Sequence, residues 1–306
     1  MVERGLLSRV CDHTDRHYSR YYIKDKRGKF RKIEEPDYYM TVIQNRIRKS
    51  FLNRYPVSGY ATAYHAGARI TGNAAPHVGR RYLLKMDLKD FFGHVTTDMV
   101  YRKVLSKAPF SRDVAEKIAQ LCTLNGVLPQ GASTSPALSN LVMNGFDEYM
   151  GSWCRRRGVT YTRYSDDLTF SSDEPLYPVY LRAKEKLEKM GFEINDSKTH
   201  FLTSHTRQQV TGIVVNEKIN IPSEYRRKLR QEIHYVLQYG AEDAFSRCKD
   251  KDGFSSPTAR HYVLSLLGRT DYILQVRRDD TYFKDARKKL AGMVSRMDAP
   301  VDGSAG

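Results

Sequence analysis

A mixed α+β fold is predicted by three features of this 306-residue sequence. Short apolar runs of strand length are interspersed with longer segments of helical period. Residues that start and stop helices bracket those longer segments. From about residue 222 onward the pattern is mainly helical.

The elements can be justified in chain order. YLLKMDL (82–88) is an apolar run of strand length ending in an acidic residue. SPALSNLVMNGFDEYM (135–150) offers Ser135 as N-cap and Pro136 at the first helical position, with Leu138, Leu141, Val142 and Phe146 on one face. VTYTRYSDDLTFS (159–171) predicts two strands joined at the Asp166-Asp167 pair, and QQVTGIVVNEKINI (208–221) a hairpin turning at Asn216-Glu217. In SEYRRKLRQEIHYVLQYG, Ser223 caps a helix that Gly240 stops. Tyr225, Leu229, Ile233, Val236 and Leu237 form its apolar side, and Arg226, Arg227, Lys228 and Arg230 the other. A further helix is expected from Ser256-Pro257 through ARHYVLSLLGRTDYILQV, while the tail DAPVDGSAG looks loose.

The charge balance points to a polyanionic partner. Lys and Arg number 51 against 35 Asp and Glu, a formal net charge of +16. Residues 1–86 carry 18 basic and 7 acidic side chains (net +11), so the excess is concentrated towards the N-terminus. Solvated basic faces are the alternative. Four scattered cysteines, Cys11, Cys122, Cys154 and Cys248, fit neither a C-x-x-C zinc pattern nor a disulfide framework. No apolar run has membrane-spanning length and the start lacks a signal-peptide core, so a soluble, cytoplasmic protein is expected.

Two adjacent carboxylates at a turn repel one another unless something positive neutralises them. A divalent cation suits that role, because Mg²⁺ takes one or two protein carboxylates and completes its shell with water and substrate phosphates. A third carboxylate should come from another strand end. Asp87 and Asp90 compete, and Asp87 is preferred because it lies opposite the Met86 and Leu88 face of its strand. Alone, an Asp-Asp pair is as compatible with a solvated turn.

YSDD (164–167) resembles the Y-x-D-D box of reverse transcriptases, and LPQGASTSPALSN (128–140) the segment that precedes it in that family. The order is also that of the family: basic KDKRGKFRKIEEP (24–36), Asp87, Gln130-Gly131, Asp166-Asp167, then GFEINDSKT (191–199). NAAPHVG (73–79) and QVTGIVVN (209–216) resemble the N-A-x-x-H and V-T-G signatures of bacterial retron enzymes. Ser165 stands where that branch more often has Ala.

The resemblance implies a right-hand polymerase: fingers over 1–85 with part of the palm, a palm over 86–221 with an inserted fingers segment and a small antiparallel sheet, and a helical thumb with tail over 222–306. It implies that Asp87, Asp166 and Asp167 are catalytic and hold two Mg²⁺ ions, with Mn²⁺ an alternative. Phe92 would pack under the nucleotide sugar and select dNTPs, or be an ordinary core Phe beside Phe91. Gln130 and Gly131 would lie beside the incoming nucleotide. Arg31, with Lys24 and Lys29, would grip the triphosphate, and Lys198 would protonate pyrophosphate.

RNA contacts are implied at Asn73 and His77, at Val210, Thr211 and Gly212, and at Arg226, Arg227, Lys228 and Arg230 on the thumb. Each has a structural alternative: a buried hydrogen bonder, a buried hairpin, a solvated face. The implied reaction copies part of a cognate structured non-coding RNA into multicopy single-stranded DNA, primed from an RNA 2′-hydroxyl. Implied partners are that RNA, its RNA–DNA product and a separate effector protein in antiphage defence, with no membrane. Another bacterial reverse transcriptase with a generic template, or a non-catalytic RNA-binding scaffold, are the alternatives.

Overall fold

Alternation around the aspartate pair produces an antiparallel sheet. The computed structural model describes residues 10–11, 13–24, 28, 30–249 and 258–298. Its central sheet has four strands in the order β4-β5-β3-β6: β3 Tyr82–Asp87, β4 Thr160–Tyr164, β5 Asp167–Ser172 and β6 His200–Thr203. Leu84, Met86, Leu168 and Phe170 send one face of this sheet into the core. There they meet Leu138, Val142 and Phe146 of α5 (Ser135–Arg155), and Ala183 and Leu187 of α6 (Tyr177–Lys189). Because successive strand residues alternate faces, Asp87 and Asp167 fall on the other side.

Ahead of the sheet come a two-stranded ribbon, β1 (Tyr18–Lys24) and β2 (Phe30–Pro36), and helices α1 (Tyr38–Ser50) and α2 (Ile70–Ala74). Between β3 and α5 lie α3 (Thr97–Lys103) and α4 (Arg112–Cys122). The chain divides into two compact units, the first ending at Gln208. The second holds a short hairpin, β7 (Gln209–Val210) and β8 (Ile213–Val214), and helices α7 (Ser223–Tyr239), α8 (Ala241–Lys249), α9 (Ala259–Val276) and α10 (Thr281–Asp298). The division thus precedes residue 222, and the hairpin groups with the helices. In the second unit Leu229, Ile233, Val263, Leu266, Phe283 and Leu290 are buried, and Arg269 grips Glu232 through Nη2 at 3.0 Å.

Several helix ends differ from expectation by a residue. Ser135 is the first residue of α5 rather than its cap, because its hydroxyl donates to the Pro129 carbonyl at 2.8 Å and pins the preceding loop. Pro222, not Ser223, precedes α7, whose end at Gly240 (φ 86°) is as expected. The Ser256-Pro257 start lies outside the described residues; the described part of α9 begins after Thr258, whose hydroxyl accepts from the His261 N–H. The tight turn of the 208–221 hairpin is Thr211-Gly212, both at positive φ, as a primed turn requires. Asn216-Glu217 instead lies in the loop that returns Asn220 to pair with Val214. Among the described residues no helix is long and apolar enough to cross a membrane.

Candidate active site

The acidic site is made by register. Asp87, the last residue of β3, stands opposite Asp167, the first of β5, and directly opposed residues share a face. Tyr164 pairs with Asp167, which leaves Ser165-Asp166 as a two-residue turn. Ser165 has φ 62°, costly for a residue with a Cβ, and three contacts hold the turn. Arg163 Nη1 donates to its carbonyl (3.1 Å), the Tyr64 hydroxyl donates to its Oγ (3.0 Å), and the Leu88 N–H donates to the Asp166 carbonyl (3.1 Å).

Burial raises the pKa of Asp166, and the nearby Asp87 adds to the effect. Burial and then the neighbouring Asp166 charge push Asp167 up to about 6. Asp87 is 7% exposed, and Lys198 reaches it with Nζ at 2.7 and 2.9 Å from its two carboxylate oxygens. Asn195 holds the same residue by its N–H on the Asp87 carbonyl (2.8 Å) and its Nδ2 on Oδ2 (3.3 Å). Asp90 is exposed in the turn beyond the strand, where its carbonyl accepts from His94. Among the described residues no three His, Cys, Asp or Glu side chains are grouped as a ready metal cage. The donor set nevertheless fits a hard divalent cation: three carboxylates at one sheet end, two of them with pKa raised by burial and then by the neighbouring carboxylate charge.

Behind the turn lies a network that the sequence motifs did not reveal. Arg163 is fully buried and clamps Asp147 of α5, with Nη2 at 2.6 Å from Oδ2 and Nε at 2.9 Å from Oδ1. Tyr161 donates to the same carboxylate (2.8 Å), and Arg163 also reaches Asn140 (3.2 Å). The available signals were an acidic residue on the apolar face of a predicted helix and an arginine inside an apolar strand.

Of the residues expected beside a nucleotide, Phe92 is half-buried next to buried Phe91, with ring centroids 5.6 Å apart. Gln130 gives its carbonyl to the Glu34 N–H of β2 at 2.9 Å. Gly131 sits at φ 147° so close to β2 that an added Cβ would lie 2.4 Å from the Glu34 carbonyl oxygen. Its close approach is therefore to the ribbon's own backbone. Arg31 and Lys24 are exposed on that ribbon, and Lys29 lies outside the described residues.

The residues implied in RNA contact divide. Asn73 and His77 are fully buried, as in the reading of a buried hydrogen bonder. His77 bonds Ser171 Oγ (2.7 Å) and Thr162 Oγ1 (2.8 Å), and Asn73 Oδ1 accepts from Thr62 (2.8 Å). Ser171 and Thr162 lie on the sheet face that carries Asp167, so His77 plugs that face and lashes β4 to β5. Burial lowers its pKa to about 3, and the Arg80 charge adds to this. Val210 is buried, Thr211 is half-buried and Gly212 is exposed at the turn. Arg227 and Lys228 are exposed on α7. Arg226 donates to the Ile221 carbonyl, and Arg230 lies 4.9 Å from the Tyr282 ring.

A family model described as reverse transcriptase (RNA-dependent DNA polymerase) matches residues 23–235. The retron Mx65 reverse transcriptase of Myxococcus xanthus is 37% identical over 276 residues, covering 82% of this chain and 64% of that protein. The retron Ec86 reverse transcriptase of Escherichia coli is 30% identical over 226 residues, covering 71% of this chain and 70% of its own. This chain thus spans just under two thirds of the Mx65 protein. A foamy viral protease–reverse transcriptase solved with double-stranded DNA aligns with TM-score 0.50 at 17% identity, over 92% of this chain and 39% of that one.

Proposed function

Since the chain belongs to the reverse transcriptase family, in its retron branch, we propose that it is an RNA-directed DNA polymerase. Its α+β fold is that of the right-hand polymerases. The observation that carries the reading is the placement of Asp87 opposite Asp167, with Asp166 in the adjoining turn and a lysine already on Asp87. In this reading the fingers occupy 1–85, the palm 86–221 and the thumb 222–306.

When bound, two divalent cations, Mg²⁺ or Mn²⁺, supply the positive charge that polarises a primer hydroxyl and the leaving pyrophosphate. Asp87, Asp166 and Asp167 hold them, and Asn195 keeps Asp87 turned towards the site. Phe92 presents its half-buried ring to the sugar and so disfavours a ribose 2′-hydroxyl. Gln130 and Gly131, tied to β2, set the floor beside the nucleotide, while Arg31, Lys24 and Lys29 grip the triphosphate. Lys198, released from Asp87 as the nucleotide arrives, gives its proton to the departing pyrophosphate. Arg226, Arg227, Lys228 and Arg230, with the Val210–Gly212 turn, hold the nucleic-acid backbone.

The template proposed is a structured non-coding RNA encoded beside the gene, primed from one of its own 2′-hydroxyls to yield multicopy single-stranded DNA. A separate effector protein, an antiphage role and a cytoplasmic setting belong to the same proposal. The test is to express the gene with its flanking DNA and analyse the nucleic acid that co-purifies, before and after RNase. An Asp166→Asn/Asp167→Asn protein is the control. A discrete DNA band that shifts on RNase treatment and is missing from the control is expected. RNA alone with both proteins would refute self-primed synthesis.

A further inference from the structure

A basic cleft lies in the first unit, lined by no residue of the four-stranded sheet. It has a volume of about 640 Å³ and opens among Tyr55-Pro56, the end of α3, the middle of α5 and the end of α6. Its floor is apolar, from Val104, Leu141, Val142 and Phe146. Four lysines rim it, Lys103, Lys107, Lys186 and Lys189, and no Asp or Glu lines it. Lys189 is held by Glu185 at 2.6 Å, whereas Lys103, Lys107 and Lys186 have no acidic partner among the described residues. Lys186 lies 4.5 Å from the centroid of the Tyr149 ring, whose other neighbour is Arg182 at 5.6 Å.

Lys103 shows the strain of this arrangement: burial, and then the Lys107 charge, lower its pKa. Like charges brought together around an apolar floor leave a positive potential unsatisfied within the protein. Charge complementarity therefore calls for an anion, and the floor and tyrosine walls call for a flat apolar body attached to it. A base with its phosphate has both properties, and stacking on aromatic walls with lysines on the backbone is sequence-tolerant. A duplex keeps its bases stacked inside and offers nothing to such a floor.

We propose that this cleft seats an unpaired nucleotide of the enzyme's RNA, outside the polymerisation site, with Lys103, Lys107 and Lys186 on its phosphates. The choice of RNA as occupant rests on the polymerase reading. The function is anchorage: one fixed nucleotide sets where the rest of the folded RNA lies.

The test uses the full chain and a fluorescein-labelled twelve-nucleotide uridine RNA carrying 4-thiouridine. After irradiation, cross-links are mapped by mass spectrometry, and affinity is followed against salt. In wild type, cross-links are expected in the peptides holding Tyr55 and Tyr149. In Lys107→Ala/Lys186→Ala these cross-links should vanish. The slope of log affinity against log salt should fall by about 1.4, because each phosphate contact on a single strand contributes roughly 0.7. Extension of oligo(dT) on poly(rA) should remain at the wild-type rate, and the circular dichroism melt should be unchanged. Wild-type cross-links confined to other peptides, an unchanged slope, or displacement by polyglutamate as effective as by RNA would overturn the proposal. If extension is absent from wild type while the Tyr149 cross-link is present, the polymerase reading fails and the nucleotide site stands.

Discussion

Replacing His77 by Gln should uncouple the stability of the first unit from mild acid. In the folded chain burial holds the imidazole neutral down to a pKa of about 3, against 6.5 for the ordinary group. Between those values the unfolded chain carries a proton that the native chain refuses, so stability falls as pH falls from 6.5 towards 3. Each pH unit is worth about 1.36 kcal/mol. The whole window therefore amounts to about 5 kcal/mol, of which about 2 kcal/mol is lost by pH 5. His77→Gln removes the titration while keeping a polar group to meet Ser171 and Thr162. The assay is urea unfolding at pH 7.5 and pH 5.0, followed by fluorescence of Trp153, the sole tryptophan, which lies in the same unit. At pH 7.5 wild type should be the more stable, and by pH 5.0 the gap should narrow by about 2 kcal/mol. The other titrating groups are common to both proteins and cancel in the difference. A gap that stays constant across this range would refute the buried neutral histidine.

Three further outcomes are expected. Arg163→Ala should cost about 3–5 kcal/mol, because it strands the Asp147 carboxylate in the core, whereas Arg163→Met with Asp147→Leu should recover most of that stability; equal loss in the two proteins by urea unfolding would contradict the account. Gly131→Ala should weaken both folding and nucleotide use, since its Cβ has no room against Glu34, and a wild-type melting temperature together with a wild-type KM for dTTP would argue against it. Burial pushes the Cys122 and Cys154 thiols up to about 12. Neither should react with a thiol reagent at pH 8 until the chain unfolds, and native labelling of either, mapped by mass spectrometry, would count against the packing described.

What could be read from the sequence was local. The apolar run 82–88, the strand pair around Asp166-Asp167 and the apolar faces of α5 and α7 are all carried by neighbours within a turn or a strand. Asp87 could be preferred to Asp90 from strand alternation and from the turn that begins at Asp90. The partners across the chain were not legible. His77 finds Thr162 and Ser171 at separations of 85 and 94 residues, so a buried hydrogen bonder could be offered as a reading but its partners could not be named. The Gln130-Gly131 loop could be found by its motif, whereas its backbone contact with Glu34 of β2 exists only after folding. The Arg163–Asp147 clamp escaped because a charge within an apolar pattern looks like noise until its counterpart is known.

The lysine on Asp87 bears on the order of events in the life of the protein. Three carboxylates gathered at one strand end would ordinarily make the site the last part of the molecule to settle, waiting on an ion from outside. A resident ammonium on Asp87 offsets part of that repulsion without any ion. On the proposed two-cation reading, ion binding would then be separate from folding, and a chelated preparation should keep its structure while it loses polymerase activity.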